Sequence, residues 1–180
     1  SPFTGPYSGP VWHVETTGSD STGDGSEENP FASIQFGLDS ANDEDTVLVA
    51  SGMYVEHIIW PPTSGINLIG SGEEDCVIDG DSTGRVLQIH DYDLDGDNYK
   101  DGFFDSSTVI SGLTIQNGVA ESNAGISLYY SDPTISNVVV QNNNAEQFGA
   151  GIGLSYSNPK LDNITIQGNR IEGYGMGDRN

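Results

Sequence analysis

The chain repeats one short pattern three times, at spacings of 25 and then 26 residues. The copies are residues 110–117 (ISGLTIQN), 135–142 (ISNVVVQN) and 161–168 (LDNITIQG). A second block, residues 124–133, recurs 26 residues later as residues 150–159. Self-similarity at a fixed period of this length is typical of a solenoid, in which each repeat packs mainly on its neighbours.

The residues within one period indicate the kind of solenoid. Ile126, Leu128 and Tyr130 alternate with the residues between them, which is the spacing of a β-strand. No part of the period has a helical pattern, whereas tetratricopeptide and ankyrin repeats need two helices per unit, and the leucine-rich consensus is absent. The sequence therefore predicts an all-β parallel β-helix, whose successive coils pair at about 4.8 Å.

Stacking the repeats predicts three columns of interior side chains and a shared corner. The columns are Ile110, Ile135 and Leu161; Leu113, Val138 and Ile164; and Ile115, Val140 and Ile166. The predicted corner lies at Ser136-Asn137, with Asn163 in the next coil and Gly112 in the coil before. Gly and Asn tolerate the left-handed backbone that a corner requires.

The N-terminal quarter differs from the repeats. Residues 1–10 are predicted to be a linker or lead-in strand, residues 11–45 a cap, and residues 46–180 the coils. In the cap, the three- and four-residue spacing of Phe31, Ile34, Leu38 and Ala41 predicts a helix over 30–41. Strands are predicted at 11–14, 46–50, 54–59, 66–69, 76–78 and 86–89.

Two stretches carry a family resemblance. The run from Gly18 to Glu56 (GSD, GS, NPFASIQ, DTVLV and GMYVE) resembles the entry of the right-handed parallel β-helix proteins of the pectin-lyase-like superfamily. Residues 112–118 and 157–166 resemble the repeats of bacterial cell-surface β-helix proteins. The resemblance covers about residues 11–170. It implies a right-handed β-helix with an N-terminal capping helix, at the bacterial cell surface or outside the cell.

The same resemblance bears on the C-terminal end. Repeats of that family usually continue into Gly-Gly-Gly-Ile-Tyr, and residues 173–177 begin in this way before the sequence stops at Asn180. An open coil exposes strand edges and apolar side chains. We therefore expect truncation, with further coils or a partner packing on this end.

Composition excludes several partners. The net charge is −22, with five Lys and Arg against 27 Asp and Glu. Nucleic acids and anionic membranes bind basic surfaces, so neither is an expected partner. No apolar run reaches the roughly 18 residues of a membrane-spanning helix, so no membrane insertion is expected. Cys76 is the single cysteine, which excludes an internal disulfide and predicts a small buried side chain.

An acidic insertion at residues 91–105 predicts a calcium site. Asp93, Asp95, Asp97 and Asp101 occupy positions 1, 3, 5 and 9 of a calcium loop, and Tyr99 supplies a backbone carbonyl at position 7. The loop resembles those of integrin-like and thrombospondin-like repeats. It is not an EF-hand, because position 12 is Phe104. A register starting at Asp91 and a solvated acidic loop remain as alternatives, and residues 16–29 form a weaker candidate.

Candidate catalytic side chains are few, are scattered along the sequence and do not recur on one face. They are Arg85, Lys100, Lys160, Arg170, Arg179, His13, His57, His90 and the pair Asp79 and Asp81. The Asp-Gly-Asp run is typical of a turn, so no catalytic residue is assigned. We favour a non-catalytic secreted or cell-surface module, an adhesin or carbohydrate-contacting stalk stabilised by calcium, with polysaccharide or another surface protein as partner. The alternative is the N-terminal part of a calcium-dependent polysaccharide lyase or hydrolase whose active site lies partly outside this chain. A purely structural or oligomerising domain is a third alternative.

Overall fold

The fold is an all-β parallel β-helix with one short helix near its N-terminal end, as the repeats predict. A computed structural model describes residues 7–91 and 104–173. Their elements are β1 (Val11–Val14), α1 (Ile34–Ser40), β2 (Thr46–Val49), β3 (Gly52–Val55), β4 (Ile58–Ile59), β5 (Asn67–Gly70), β6 (Cys76–Asp79), β7 (Leu87–His90), β8 (Val109–Gln116), β9 (Val119–Ser122), β10 (Ile126–Tyr129), β11 (Thr134–Gln141), β12 (Asn144–Phe148), β13 (Ile152–Ser155), β14 (Lys160–Gln167) and β15 (Arg170–Ile171).

Three sheets run along the coil axis. The largest has the order β1-β2-β5-β8-β11-β14, with β3 pairing with β6 and β6 with β8. The second has the order β13-β10-β7-β4, and the third β15-β12-β9. Within the two described ranges, the strand pairings are all parallel. The coils that begin at β8 and β11 each contribute one strand to each sheet, which is the arrangement of a β-helix.

The three predicted columns are confirmed by the strand register. Ile110 pairs with Ile135 and Ile135 with Leu161, and the other two columns keep the same register. The first column continues back through Leu68 and Val47 to Trp12 in the first coil. The side chains of this first column are buried except at Leu161, which is 45% exposed because no described coil stacks on it.

The predicted corner is confirmed, but it does not interrupt the strands. Gly112, Asn137 and Asn163 all have positive φ, between 50° and 71°. Each lies inside an eight-residue strand that resumes pairing directly afterwards. Gly112 also passes close to the preceding coil, since a Cβ there would lie 2.6 Å from the carbonyl oxygen of Gly70. A larger residue would push the two coils apart.

The capping helix is shorter than the predicted 30–41. It begins at Ile34, with Ser33 as N-cap accepting from the Phe36 amide, and ends at Ser40. Phe31 instead forms a parallel bridge with Val14, so the backbone at this point is extended and continues the first coil. Ile34 and Leu38 are fully buried against that coil. The helix covers the apolar end of the solenoid, as a cap must.

The predicted strand at 54–59 is wrong in extent. The structure has two strands, β3 and β4, separated by Glu56 and His57. The break occurs because Glu56 turns towards α1, where its two carboxylate oxygens accept from the amides of Ile34 and Gln35. Cys76 is fully buried, as predicted, and burial raises the pKa of its thiol to about 11.

Candidate ligand-contacting face

The predicted calcium ligands Asp93, Asp95, Asp97, Tyr99 and Asp101 lie outside the described residues. Both ends of the insertion are described. Asp91 follows β7 and donates its amide to the carbonyl of Tyr129, while the Phe104 carbonyl accepts from the Asp132 amide. The insertion therefore leaves and re-enters the solenoid beside the C-terminal end of β10. Among residues 7–91 and 104–173, no group of three or more His, Cys, Asp or Glu could hold a metal ion.

The weaker metal candidate, residues 16–29, has another role for its carboxylates. Asp20 accepts from the amides of Ala32 and Ser33 and from the Ser33 hydroxyl, at 2.7–3.1 Å. Asp24 accepts from the amide and hydroxyl of Ser26. Asp20 already accepts hydrogen bonds at the start of the helix, and Asp24 accepts them within a turn. Both carboxylates are therefore weaker candidates for cation ligands.

A polar and aromatic surface lies on the outward side of the four-stranded sheet, next to both ends of the insertion. In β7 and β10, Leu87, Ile89, Ile126 and Leu128 point into the core, so the alternate residues point outward. Gln88 pairs in register with Ser127, and His90 with Tyr129. We call Arg85, Gln88, His90, Asn123, Ser127 and Tyr129 the four-stranded face.

Arg85 crosses this face and ties two coils together. Its Nε donates to the Asn123 carbonyl at 2.7 Å, and one terminal nitrogen donates to the Ser122 carbonyl at 2.9 Å. The other terminal nitrogen donates to Gln88 Oε1 at 2.8 Å. A guanidinium with three protein acceptors is held firmly in place. Arg85 thus gives the face a fixed positive charge in a strongly acidic protein.

His90 lies at the centre of a short hydrogen-bonded chain. Its Nε2 is 2.8 Å from the Ser127 hydroxyl, which also accepts from Asn123 Nδ2 at 3.3 Å. Burial, and then the charge of Arg85, lower the pKa of His90 to about 4. The imidazole is therefore neutral near pH 7. Which of Nε2 and the Ser127 hydroxyl donates is set by the tautomer of the imidazole.

Three tyrosines border the four-stranded face at the end nearest the insertion. Tyr129 meets His90 and Tyr130 edge to face, at centroid distances of 5.8 and 4.7 Å. Tyr130 stacks on Tyr156 of the next coil at 4.6 Å and 15°. Tyr156 is 75% exposed. Such rings offer apolar area together with a hydroxyl group, which suits contact with amphipathic ligands.

The structure brings together three candidates that the sequence left scattered. His57 Nδ1 is 2.8 Å from the carbonyl of Arg85, and the Arg85 charge acts on His90. These residues come together because the coil places β4 beside β7. His13, Lys160 and Arg170 lie on other elements, and Lys100 and Arg179 lie outside the described residues.

Asp79 and Asp81 form a turn, as predicted. Asp79 Oδ1 accepts from the Asp81 amide at 2.8 Å, and Asp81 has φ +48°. Asp79 Oδ2 accepts from the side-chain amides of Gln116 and Asn117 in the next coil. Partial burial raises the pKa of Asp79, but these hydrogen bonds outweigh it and hold the pKa below its usual value.

Sequence reasoning missed Gln88, Asn123, Ser127 and Tyr129. A usable signal was present for three of them. Residues 87–90 (LQIH), 126–129 (ISLY) and 152–155 (IGLS) align as one strand position in successive coils, with outward residues at the second and fourth places. Asn123 has no such signal, because it reaches the face from the turn before β10.

The fold and this face define a repeat protein of the parallel β-helix class. Residues 16–178 match a family model described as a protein of unknown function (DUF1565), so the chain belongs to that family. The family is associated with parallel β-helix proteins, in agreement with the observed sheets. No curated protein and no solved structure matches the chain. None of the described helices is long and apolar enough to span a membrane.

Proposed function

We propose that this chain is a non-catalytic β-helix module of a secreted or cell-surface protein, which contacts carbohydrate through the four-stranded face and is stabilised by calcium. The observation that carries the proposal is the composition of that face. Gln88 and His90, which hydrogen bonds hold in place on a rigid sheet, lie beside three tyrosine rings, of which Tyr156 is exposed and Tyr129 and Tyr130 are partly buried. Hydroxyl-rich ligands with apolar ring faces need both kinds of contact.

The geometry favours binding over chemistry. Ser127 is 2% exposed beneath Asn123, so a substrate has little access to its hydroxyl. Arg85 donates to three protein acceptors rather than standing ready for a reacting group. The net charge of −22 also disfavours anionic polysaccharides unless a cation intervenes. Neutral saccharides are therefore the proposed ligands.

The binding proposal is tested on an array of neutral and acidic glycans, followed by calorimetry on any ligand found. Tyr156→Ala removes an exposed ring and should weaken binding about tenfold, the effect of losing about 1.4 kcal/mol of contact. Phe148→Ala is the matched control, because Phe148 is 58% exposed but lies on β12 in a different sheet. Equal losses in the two variants, or the absence of any glycan ligand, would remove the proposal.

Calcium binding to Asp93, Asp95, Asp97, Tyr99 and Asp101 is the second part of the proposal. Five aspartates within residues 91–101 repel one another, and a bound cation relieves that repulsion. A ligand that binds the folded form alone stabilises it by about 2.7 kcal/mol at a hundredfold excess over Kd. Calcium should therefore raise the melting temperature and EDTA should lower it.

The calcium test uses two double variants of equal charge change. Asp95→Ala with Asp97→Ala should abolish the difference between calcium and EDTA. Glu27→Ala with Glu28→Ala removes two exposed carboxylates from the other acidic loop and should preserve that difference. If metal-free wild-type protein melts at the same temperature with calcium and with EDTA, the insertion is a solvated acidic loop.

One observation favours the enzymatic alternative. His90 lies close to Arg85, which places a candidate proton-transfer group beside a positive charge, but its pKa of about 4 makes it a weak base at pH 7. The test is incubation with uronic-acid and neutral polysaccharides, with and without calcium, followed by assay of unsaturated and reducing sugars. We expect no turnover. Turnover that is lost in His90→Gln and retained in His13→Gln would favour the lyase or hydrolase.

A further inference from the structure

A short motif in β14 has the form of an N-linked glycosylation acceptor. Asn163-Ile164-Thr165 is the one Asn-x-Ser/Thr triplet without proline in the printed sequence. Such a triplet can carry a glycan in the folded protein only where its asparagine is at the surface. The position of Asn163 in the coil therefore decides whether the motif is compatible with modification.

The corner places the acceptor at the surface and the middle residue towards the core. Asn163 and Thr165 are exposed, whereas Ile164 is partly buried and packs against the core. Asn163 has φ +50°, which turns its side chain away from the alternation of the flanking strand. The motif thus presents its two functional side chains to solvent.

The exposure of Asn163 does not depend on what packs against the last described coil. Asn137 occupies the same corner one coil earlier, where β14 stacks directly on β11. Asn137 is nevertheless exposed. The corner therefore projects from the solenoid wall in a covered coil as well as in an uncovered one.

The hydrogen bonding of Asn163 is compatible with a glycan. Asn163 Nδ2 donates to Asn137 Oδ1 at 2.8 Å, and the primary amide has two protons. In N-glycosylation, Nδ2 bonds to the anomeric carbon of a lipid-diphosphate-linked oligosaccharide. The bond from that carbon to the diphosphate oxygen breaks, the lipid diphosphate leaves, and one amide proton is lost. The remaining proton can still be donated to Asn137.

We propose that Asn163 accepts an N-linked glycan when the chain passes through an export pathway that contains an oligosaccharyltransferase. The proposal rests on the extracellular location in the proposed function. Its chemistry is independent of carbohydrate binding by the four-stranded face, which lies on a different sheet. A glycan at this corner would project outward beside β14.

The test is secretion of the full chain from a eukaryotic cell line that glycosylates exported proteins. Because the host supplies export, the result does not depend on the native location of the protein. The intact mass of the wild type should include one glycan, mapped to Asn163 by peptide mass spectrometry. Thr165→Val removes the required hydroxyl with little change of shape and should remove the glycan, and Thr165→Ser should keep it.

A matched variant in the preceding coil should gain a glycan. Asn137-Val138-Val139 has the same corner but lacks the hydroxyl residue, and Val139 pairs in register with Thr165. Val139→Thr should therefore add a second glycan at Asn137. A wild-type chain of unmodified mass, or a glycan that persists in Thr165→Val, would overturn the proposal.

Discussion

The entry coils (residues 7–91) and the stacked coils (residues 104–173) satisfy their polar groups in different ways. In the entry coils, carboxylates make contacts that do not recur from coil to coil. Asp20 and Glu56 accept from backbone amides at the start of α1, and Asp45 accepts from Trp12 Nε1. In the stacked coils, side-chain amides repeat the same contact from coil to coil. Gln167 donates to Gln141, and Gln141 donates to Gln116, both at 2.9 Å.

The difference follows from stacking identical residues at about 4.8 Å. An amide both donates and accepts, so a column of Gln or Asn is self-complementary. A column of carboxylates would place like charges directly opposite one another, which is destabilising. Two carboxylates that contact the stacked coils meet neutral partners instead: Gln116 donates to Asp79, and Gln147 donates to Glu121. An acidic protein can therefore stack coils if its acids do not occupy the same column.

The largest expected effect is in the entry coils. Phe31 is fully buried and stacks on Trp12 at a centroid distance of 5.9 Å and 14°. Phe31→Ala should lower the free energy of unfolding by about 3–5 kcal/mol, measured by urea denaturation with tryptophan fluorescence. Phe36→Ala, a partly buried neighbour on α1, should cost less. An equal cost for both would show that Phe31 does not anchor the cap.

A smaller loss is expected from breaking the amide network inside the stacked coils. Asn143 is fully buried, accepts from the Gly118 amide at 2.7 Å, and donates to Asn169 Oδ1 at 2.9 Å. Asn143→Ala leaves buried groups unpaired and should cost about 2–3 kcal/mol, measured by urea denaturation with far-UV circular dichroism. Asn158→Ala, at an exposed asparagine outside the positive-φ corners, is the control. A loss under about 0.5 kcal/mol for Asn143→Ala would contradict the role of the network.

Asp79 joins the two kinds of region, and its effect should depend on pH. Three N–H donors hydrogen-bond to its two carboxylate oxygens. Asp79→Asn replaces one oxygen by an NH2 group, which faces at least one of these donors and cannot accept from it. The variant should therefore lose about 1–2 kcal/mol of unfolding free energy at pH 7. Because the folded pKa lies below the unfolded value of about 3.9, the stabilisation is present above that value. It is lost as the pH falls through the folded pKa. Urea midpoints of wild type and variant should therefore converge at low pH, and a constant gap would exclude the carboxylate as the cause.

The smallest expected effect tests whether like charges on neighbouring coils destabilise the stack. Gln147→Glu places a carboxylate beside Glu121 on exposed neighbouring strands and should cost about 0.5 kcal/mol at low salt. High salt should reduce that cost, because surface repulsion is screened. The swap Glu121→Gln with Gln147→Glu keeps the net charge of the wild type and should restore its melting temperature. If the double variant melts at as low a temperature as Gln147→Glu alone, repulsion between the two carboxylates is not the cause of the loss.

Most of the stacked region could be predicted from the sequence. The 25- and 26-residue offsets gave the register of three interior columns and the position of the corner at Asn137. The entry coils were predicted less well, because they contain no repeat to align. Phe31 fits a helical face by spacing, yet it pairs with Val14 as a strand. Local periodicity cannot distinguish these outcomes when a tertiary partner competes for the backbone.

The sequence by itself determined the solenoid, its period, its interior columns and the residues of the acidic insertion, because each depends on repetition or on local spacing. The tertiary structure decided which polar side chains meet. Arg85 is far from Asn123 in the chain, as His90 is from Ser127, and each pair comes together because β7 and β10 belong to successive coils of one sheet. The acidic insertion lies between these two strands and breaks the period there, so aligning the repeats does not reveal that they are neighbours.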